Sequence, residues 1–261
     1  MRIRTALALP LLAALLLTGC GTSASDRGTG AEPASGAETA GLTGEVTVFA
    51  AASLRTAFDE IAEAFEQQHP NVEVAPIVYD GSSTLVTQVQ EGADADVLAT
   101  ADERNMQVLV DAGLAPAPQL FATNTLVVAV PAGNPAGVES LGDLADVVTV
   151  LCAPEVPCGA ASIRLLDAAD VTVTAASLEQ NVTAVLQKVA AGEADAGLVY
   201  ATDVATDDAV ESFVPEGADE IVNQYPLTTL GDASEAGIAF AEFVRGDEAQ
   251  RILRDLGFGA P

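Results

Sequence analysis

Short runs of apolar residues alternate along the chain with segments in which apolar residues recur every three or four positions. The runs are typical of buried strands, and the periodic segments are typical of amphipathic helices. The predicted strands are "EVTVFA" (45–50), "VEVAPIVY" (72–79), "ADVLAT" (95–100), "NTLVVAVP" (124–131), "VVTVLC" (147–152), "VTVT" (171–174) and "AGLVY" (196–200). The predicted helices span 54–68, 83–91, 103–112, 140–145, 160–169, 181–191, 233–245 and 247–256. This alternation predicts an α/β fold with largely parallel sheets covered by helices.

Small residues and hydroxyl groups stand where several predicted strands give way to helices. Ser53, Ser82, Ala101, Cys158 and Val182 occupy such positions, and Ser53 is predicted to cap the helix over 54–68. A helix start offers unpaired backbone N–H groups and the positive end of the helix dipole. In an α/β sheet these starts lie at the edge where ligands bind. The pattern favours an anion held by neutral donors.

Only one basic residue lies beside these positions. Arg55 falls inside the predicted helix, where we expect its side chain to face outward.

The amino terminus predicts export and a lipid anchor. Arg2 and Arg4 precede the apolar stretch "ALALPLLAALLL", which has the length of a signal peptide and is short for a membrane span. The stretch ends in "LTGC", which resembles the bacterial lipobox, so residues 1–19 are predicted to be removed and Cys20 to carry the lipid. Residues 20–44 are rich in Gly, Ala, Ser and Thr, which predicts a flexible linker. We therefore expect a protein held on the outer face of the cell membrane.

Charge and missing motifs exclude several classes of function. Without residues 1–19 the chain has eight basic against 38 acidic residues, a net charge of −30. Nucleic acid is a poor partner for such a chain, and membrane contact is expected through the lipid alone. The sequence has no P-loop, no G-x-S-x-G and no H-E-x-x-H motif. His69 is its only histidine and lies at a predicted helix end, so we expect neither an enzyme nor a cofactor.

Several segments are similar to those of a known transport family. "VTVFAAASL", "SSTL", "ADVLATAD", "PEVPCGAAS" and "GLVY" resemble, in this order, the periplasmic molybdate-binding proteins of ABC importers. The resemblance implies a two-lobed periplasmic-binding-protein fold of type II, with the ligand cleft between lobes joined by crossover strands. Its lobes would comprise 45–124 with 225–261, and 125–224. We expect a monomer that delivers molybdate or tungstate to an ABC permease.

The resemblance also implies the ligand-binding residues. The oxyanion would be bound by Ser53, Ser82, Cys158, Val182 and Tyr200, with Ala101 at the wall. The metal would be bound as its oxyanion, without direct protein ligands. Cys158 stands where the family often has alanine, and a backbone N–H contact would survive that difference.

Three alternatives remain open at the level of sequence. The ligand could be sulfate or phosphate, or an organic anion, although an arginine clamp for a carboxylate is missing. Cys158 at a helix start could be the nucleophile of a cysteine hydrolase. Cys152 lies six residues earlier in an exported chain, which favours a Cys152–Cys158 disulfide instead. Asp80 could accept a proton from a ligand, but a turn residue in "DGS" is the simpler interpretation.

Overall fold

A computed structural model describes residues 41–205 and 207–261 of the chain. The predicted signal peptide, the lipid-anchor residue Cys20 and nearly all of the predicted linker lie outside the described residues. Within those residues, no helix is both long and apolar enough to cross a membrane.

The first large sheet has five strands in the order β4-β2-β5-β12-β6. Its strands are β2 (Val48–Ala51), β4 (Val78–Asp80), β5 (Val97–Ala99), β6 (Gln119–Asn124) and β12 (Asn223–Thr229). β2 runs parallel to β4 and β5, whereas β12 runs antiparallel to β5 and β6. A separate parallel pair joins β1 (Gly44–Val46) to β3 (Val72–Val74).

The second large sheet also has five strands, in the order β11-β7-β10-β8-β9. Its strands are β7 (Leu126–Pro131), β8 (Thr149–Cys152), β9 (Ser177–Glu179), β10 (Ala196–Tyr200) and β11 (Val210–Phe213). The chain passes from the first sheet to the second between Asn124 and Leu126, and it returns between Phe213 and Asn223. The two sheets are thus connected twice.

The helices cover the sheets, as the periodic apolar positions predict. They are α1 (Arg55–Gln68), α2 (Ser82–Gln90), α3 (Glu103–Asp111), α4 (Pro157–Ala168), α5 (Val182–Ala190), α6 (Glu235–Val244) and α7 (Asp247–Asp255). The α1 helix buries Phe58, Ile61 and Phe65 on one face. The rings of Phe58 and Phe65 both pack against Phe240 of α6, so the amino-terminal and carboxyl-terminal helices share a core.

Two details of the predicted strand pattern are wrong. "VTVT" (171–174) is not a strand. The strand that pairs with the edge of β8 is β9, which begins at Ser177, three residues after the end of "VTVT". The sheets are also mixed rather than largely parallel, since β12 and β7 run against their neighbours. β6, β11 and β12 were not predicted. The α/β class and the two-sheet architecture are confirmed.

Candidate functional site

A small cavity lies where strands of both sheets end and helices begin. Its walls include all six residues singled out in the sequence, namely Ser53, Ser82, Ala101, Cys158, Val182 and Tyr200. The cavity is small, about 10 Å³. Among the described residues, no lysine or arginine lines it, and Asp80 is the one carboxylate in its wall. The arrangement therefore fits a small ligand that is contacted mainly by uncharged groups.

The helices α2 and α4 both begin at this cavity without a side-chain cap. Gly81 and Val156 occupy their N-cap positions, and neither can supply a capping oxygen from its side chain. The first intrahelical hydrogen bonds run from Leu85 to Gly81 in α2 and from Ala160 to Val156 in α4. The amides of Ser82 and Cys158 come before these bonds. They are therefore donors at the positive ends of two helix dipoles.

Ser82 offers a hydroxyl proton as well as an amide. Its side chain is fully buried, and its Oγ accepts a hydrogen bond of 3.0 Å from the backbone N–H of Ala101. With one lone pair of the oxygen occupied in this way, the hydroxyl proton is free to point elsewhere. The Ala101 amide is used by Ser82, so the role of Ala101 in the wall is to orient Ser82.

Ser53 does not cap a helix, contrary to the local pattern. It lies in a 3-10 turn over Ala52–Leu54 that precedes α1, and its side chain makes no capping bond. Its Oγ lies instead 3.0 Å from the hydroxyl oxygen of Tyr225, 172 residues away in the chain. The Nδ2 of Asn124 approaches that oxygen at 3.5 Å. Either hydroxyl can donate in the Ser53–Tyr225 bond. The Ser53 proton is available to the cavity when Tyr225 accepts from Asn124 and donates to Ser53.

Tyr200 at the end of β10 is fully buried, and its hydroxyl oxygen accepts a 2.8 Å hydrogen bond from the Nδ2 of Asn223. Burial raises the pKa of Tyr200, and also that of Tyr225, well above the ordinary value for tyrosine. Both phenols keep their protons at neutral pH. Tyr200 can therefore donate.

The start of α5 is capped by its own asparagine. The Asn181 oxygen accepts from the Ala184 N–H at 3.0 Å, while Val182 occupies the first helical position at the cavity wall. The Nδ2 of Asn181 donates to Asp80 Oδ1 at 3.0 Å, and the Gly81 N–H donates to the same oxygen at 2.7 Å. The Oδ1 atom of Asp80 thus accepts from two protein donors, as expected of a turn residue.

Cys152 and Cys158 form a disulfide with an S–S distance of 2.05 Å. A disulfide sulfur has no thiolate, so this geometry does not fit Cys158 as a nucleophile. His69, the one possible partner base, lies at the end of α1 with its ring centroid 4.6 Å from that of Phe65, outside the cavity wall. The bonded pair closes the loop "APEVP" in front of α4.

The residues on the two sides of the cavity are in close contact. A Cβ atom added to Gly81 would lie 2.0 Å from the Gln180 carbonyl oxygen, so only glycine fits there. Arg104 at the start of α3 donates from Nη2 to the carbonyl oxygens of Pro154 and Glu155, at 3.2 and 2.7 Å. The disulfide loop is therefore held from the opposite side of the cavity.

Among the described residues, Asp80 is the one charged residue in the cavity wall, and Arg55 and Asp203 lie outside it. Arg55 is exposed and places its guanidinium 4.3 Å from the centroid of the Tyr79 ring, which agrees with the predicted outward orientation. Asp203 borders a neighbouring space together with Ser53. Burial raises the pKa of Asp203 to about 7, although the Tyr200 N–H donates to its Oδ2 at 2.9 Å and acts in the opposite direction.

Asn223, Tyr225 and Asn124 were missed in the sequence. They reach the site only through contacts between distant parts of the chain, and no local motif distinguishes them. Among the described residues, no group of three or more His, Cys, Asp or Glu side chains is placed to hold a metal ion.

Comparison with known proteins identifies the family. Residues 46–259 match the family described as bacterial extracellular solute-binding protein. The molybdate-binding protein ModA of Mycobacterium tuberculosis is 41% identical over 262 residues, covering 96% of this chain and 97% of that protein. The solved structure of the Azotobacter vinelandii periplasmic molybdate-binding protein has a TM-score of 0.70 at 19% identity, covering 83% of this chain and 99% of the other.

The fold extends to relatives with a different ligand. The sulfate-binding protein SubI of Mycobacterium tuberculosis has a TM-score of 0.66 at 19% identity, covering 82% of this chain and 86% of that one. At 19% identity, the similarity to these two solved structures is in fold alone, and it agrees with the two five-stranded sheets and the cavity at their strand ends. The chain belongs to the family of bacterial extracellular solute-binding proteins.

Proposed function

We propose that this protein captures molybdate or tungstate outside the cytoplasm and delivers the anion to an ABC permease. The observation that carries the proposal is the polarity of the cavity. Two hydroxyl groups at its wall, those of Ser82 and Tyr200, accept hydrogen bonds from other protein groups, which leaves their protons free, and two uncapped helix starts add backbone donors. A site made mainly of donors suits a fully deprotonated tetrahedral anion.

The proposed ligand contacts are Ser53, Ser82, Cys158, Val182 and Tyr200. The two serines and Tyr200 would donate hydroxyl protons, and Cys158 and Val182 would donate backbone N–H groups. Hydrogen bonds to a charged group contribute on the order of 1.5–3 kcal/mol each. Several of them, less the costs of association and desolvation, are sufficient for micromolar affinity or better.

The negative charge of the chain does not prevent anion binding. A net charge of −30 repels a dianion at long range, but salt screens this repulsion beyond about 8–10 Å. Within the cavity the donors lie in direct contact with the ligand. Inside the cavity, the attraction of these local dipoles therefore outweighs the repulsion from the net charge of the chain.

The selectivity would follow from size and protonation. Molybdate and tungstate have longer metal–oxygen bonds than the S–O bonds of sulfate, so a cavity shaped for the larger ions holds sulfate loosely. Hydrogen phosphate carries a proton that needs an acceptor. Asp80, the carboxylate in the wall, has its Oδ1 bonded to Gly81 and Asn181, which fixes its position in the turn.

We further propose that residues 45–124 with 225–261 and residues 125–224 act as two lobes that close over the anion. The permease would recognise the closed form. Lipid attachment at Cys20 would keep the monomeric receptor beside the permease. The name of the Mycobacterium tuberculosis relative supports the ligand, and the disulfide at Cys158 supports a receptor rather than a cysteine hydrolase.

A sulfate receptor is the second candidate, because the sulfate-binding protein SubI shares the fold. Competition calorimetry on the purified protein with molybdate, tungstate, sulfate and phosphate separates the two. We expect molybdate and tungstate to bind much more tightly than the other anions. Equal or tighter binding of sulfate would overturn the assignment.

A further inference from the structure

Asn223 occupies a special place between the two sheets. It is the first residue of β12, it is 3% exposed, and it lies opposite Asn124 of β6 in the strand register. Its side chain contacts Ala101, which follows β5 of the first sheet, and Tyr200, which ends β10 of the second. One amide group therefore contacts both sides of the cavity.

The orientation of this amide follows from its partners. The Nδ2 of Asn223 lies 2.9 Å from the carbonyl oxygen of Ala101. A carbonyl oxygen can only accept, so the NH₂ group, and not the amide oxygen, must face it. The second proton of the same NH₂ group then goes to the hydroxyl oxygen of Tyr200, at 2.8 Å.

This orientation determines what Tyr200 can do. Because its oxygen accepts from Asn223, its own proton has to point in another direction, and the Tyr200 side chain lines the cavity. Ala101 links the same amide to the opposite wall, since its carbonyl accepts from Asn223 while its N–H donates to Ser82. Asn223 thus supports one donor directly and a second through Ala101.

We propose that Asn223 is a specificity-determining residue, which fixes the hydrogen-bond polarity of the cavity so that it admits fully deprotonated tetrahedral oxyanions and rejects those that carry a proton. The inference rests on the proposed function and names the residue that would enforce its selectivity. Asn223 acts through Tyr200 and Ala101, so it is a positioning residue.

The substitution Asn223→Asp tests this role with little change in shape. A carboxylate cannot donate to Tyr200, so the phenol would donate to the carboxylate and turn its lone pairs to the cavity. We expect weaker molybdate binding and unchanged or stronger hydrogen phosphate binding. The ratio of the phosphate Kd to the molybdate Kd should fall by roughly tenfold or more, because a site loses discrimination when its fixed donor becomes an acceptor.

The adjacent residue provides a matched control for charge. Gln224→Glu adds the same negative charge one position along β12, and the Gln224 Oε1 atom has no hydrogen-bond partner in the described structure. Gln224 borders a groove of about 550 Å³ near Arg104 and Arg164, which Asn223 borders as well, and it is not in the wall of the proposed binding cavity. We expect this variant to keep the wild-type ratio of Kd values. An equal fall in both variants would show a charge effect and overturn the proposal.

Tyr200→Phe shows whether Asn223 acts through the phenol. With Phe at position 200, adding Asn223→Asp should change the ratio much less than it does in the wild type, since the phenol is gone and only the link through Ala101 to Ser82 remains. A further tenfold fall would overturn the proposed route. An unchanged ratio in a folded Asn223→Asp single variant would overturn the proposal itself.

A spectroscopic measurement needs neither a ligand nor a stable Asn223 variant. The chain has three tyrosines, so the Raman spectrum of the wild type minus that of Tyr200→Phe isolates Tyr200. The tyrosine Fermi doublet reports whether the phenol accepts or donates, and we expect an acceptor signature in the unliganded protein. A donor-only signature would overturn the proposed orientation. If the wild type binds none of the four anions, the proposed function fails, and the Raman result still tests Asn223.

Discussion

The helices α2 and α4 begin differently from α3 and α6. In α3 the Asp102 carboxylate accepts from the Asn105 N–H at 2.9 Å, and in α6 the Ser234 hydroxyl accepts from the Gly237 N–H at 3.0 Å. The starts of α2 and α4 have no such side-chain bond, and both lie at the cavity. Away from the cavity, α3 and α6 supply their own acceptor. At the cavity, α2 and α4 leave their first amides open, whereas α5 is capped by Asn181 and still places Val182 at the wall.

The last helix shows that an absent cap is not sufficient for a site. α7 has no side-chain cap either, but Asp247 and Glu248 stand in its first turn and supply negative charge at the positive end of its dipole. α2 and α4 have no acidic residue in the first turn. The open starts at the cavity are thus distinguished by two independent features of sequence.

The largest effect is expected when a carboxylate is placed in the first turn of α2. Ser82→Asp would replace a hydroxyl donor with a negative charge at a buried position of the cavity wall. The lost hydrogen bond and the repulsion of like charges add, so molybdate affinity should fall by roughly a hundredfold or more. Calorimetry measures this.

Ser83→Asp is the control for Ser82→Asp, since the same charge one residue along α2 lies outside the cavity wall. We expect it to retain most of the affinity. Similar losses in both variants would contradict the importance of the contact at Ser82.

A smaller effect on molybdate affinity distinguishes a hydroxyl group that contacts the ligand from one that only caps a helix. Ser53→Ala should weaken molybdate binding by roughly 1.5–3 kcal/mol, or about 10- to 150-fold, because a charge-assisted hydrogen bond is lost. Ser234→Ala should lower the free energy of unfolding by about 1 kcal/mol, the usual contribution of a serine cap, and leave the affinity unchanged. Calorimetry and denaturant unfolding of both variants test the pair. An unchanged affinity in Ser53→Ala would mean that its hydroxyl only holds Tyr225.

Loosening the start of α4 should affect both stability and binding. The disulfide closes a ring of about seven residues, which corresponds to roughly 2.4 kcal/mol in the loop-entropy estimate. Replacing Cys152 and Cys158 by alanine should lower the Tm and weaken molybdate binding a few-fold, because the Cys158 amide loses its fixed direction. The wild type under reductant should show the same two changes. Two thiols in this loop that react with an alkylating reagent in the native, unreduced protein would refute the pairing.

The smallest effect concerns pH near the open donors. The pKa of Asp203 is about 7 in the folded protein and 3.8 in its ordinary state, so the folded form holds a proton that the unfolded form has lost between these values. This group therefore stabilises the fold most below about pH 4, and its contribution is lost as pH rises to 7. Asp203→Asn should remove that loss in thermal unfolding followed from pH 4 to 8.

The same substitution tests whether the charge of Asp203 affects molybdate binding in the cavity. Above pH 7 the ionised Asp203 lies beside Ser53 and Tyr200, while Arg55, the basic residue bordering the same space, is exposed. Molybdate affinity of the wild type should decline modestly as pH rises through 7, and that of Asp203→Asn should stay level. Parallel pH profiles would assign the change to other groups.

The sequence predicted what depends on local pattern and missed what depends on distant partners. The seven helices follow from apolar periodicity, and the small residues before α2 and α4 marked helix starts that the structure leaves open. Ser53 obeys the local rule for a cap but bonds to Tyr225, because a contact between distant elements replaced the local one. The strand β12 was missed because Pro226 interrupts its apolar residues and its first residues are polar. Asn223 and Tyr225 lie in this strand, so the sequence did not indicate their place at the site.

The adjacency of β6 and β12 has a mechanical consequence. The chain leaves the first sheet just after Asn124 and re-enters it at Asn223, and these two residues face each other in neighbouring strands. The two connections therefore lie side by side. If the proposed lobes close over the anion, a rotation about this line would need backbone changes only near Thr125 and before Asn223, and it would store little elastic energy. The lifetime of the proposed closed form would then depend on the groups that touch across the cavity, and a permease that separates those groups would release the anion at little elastic cost.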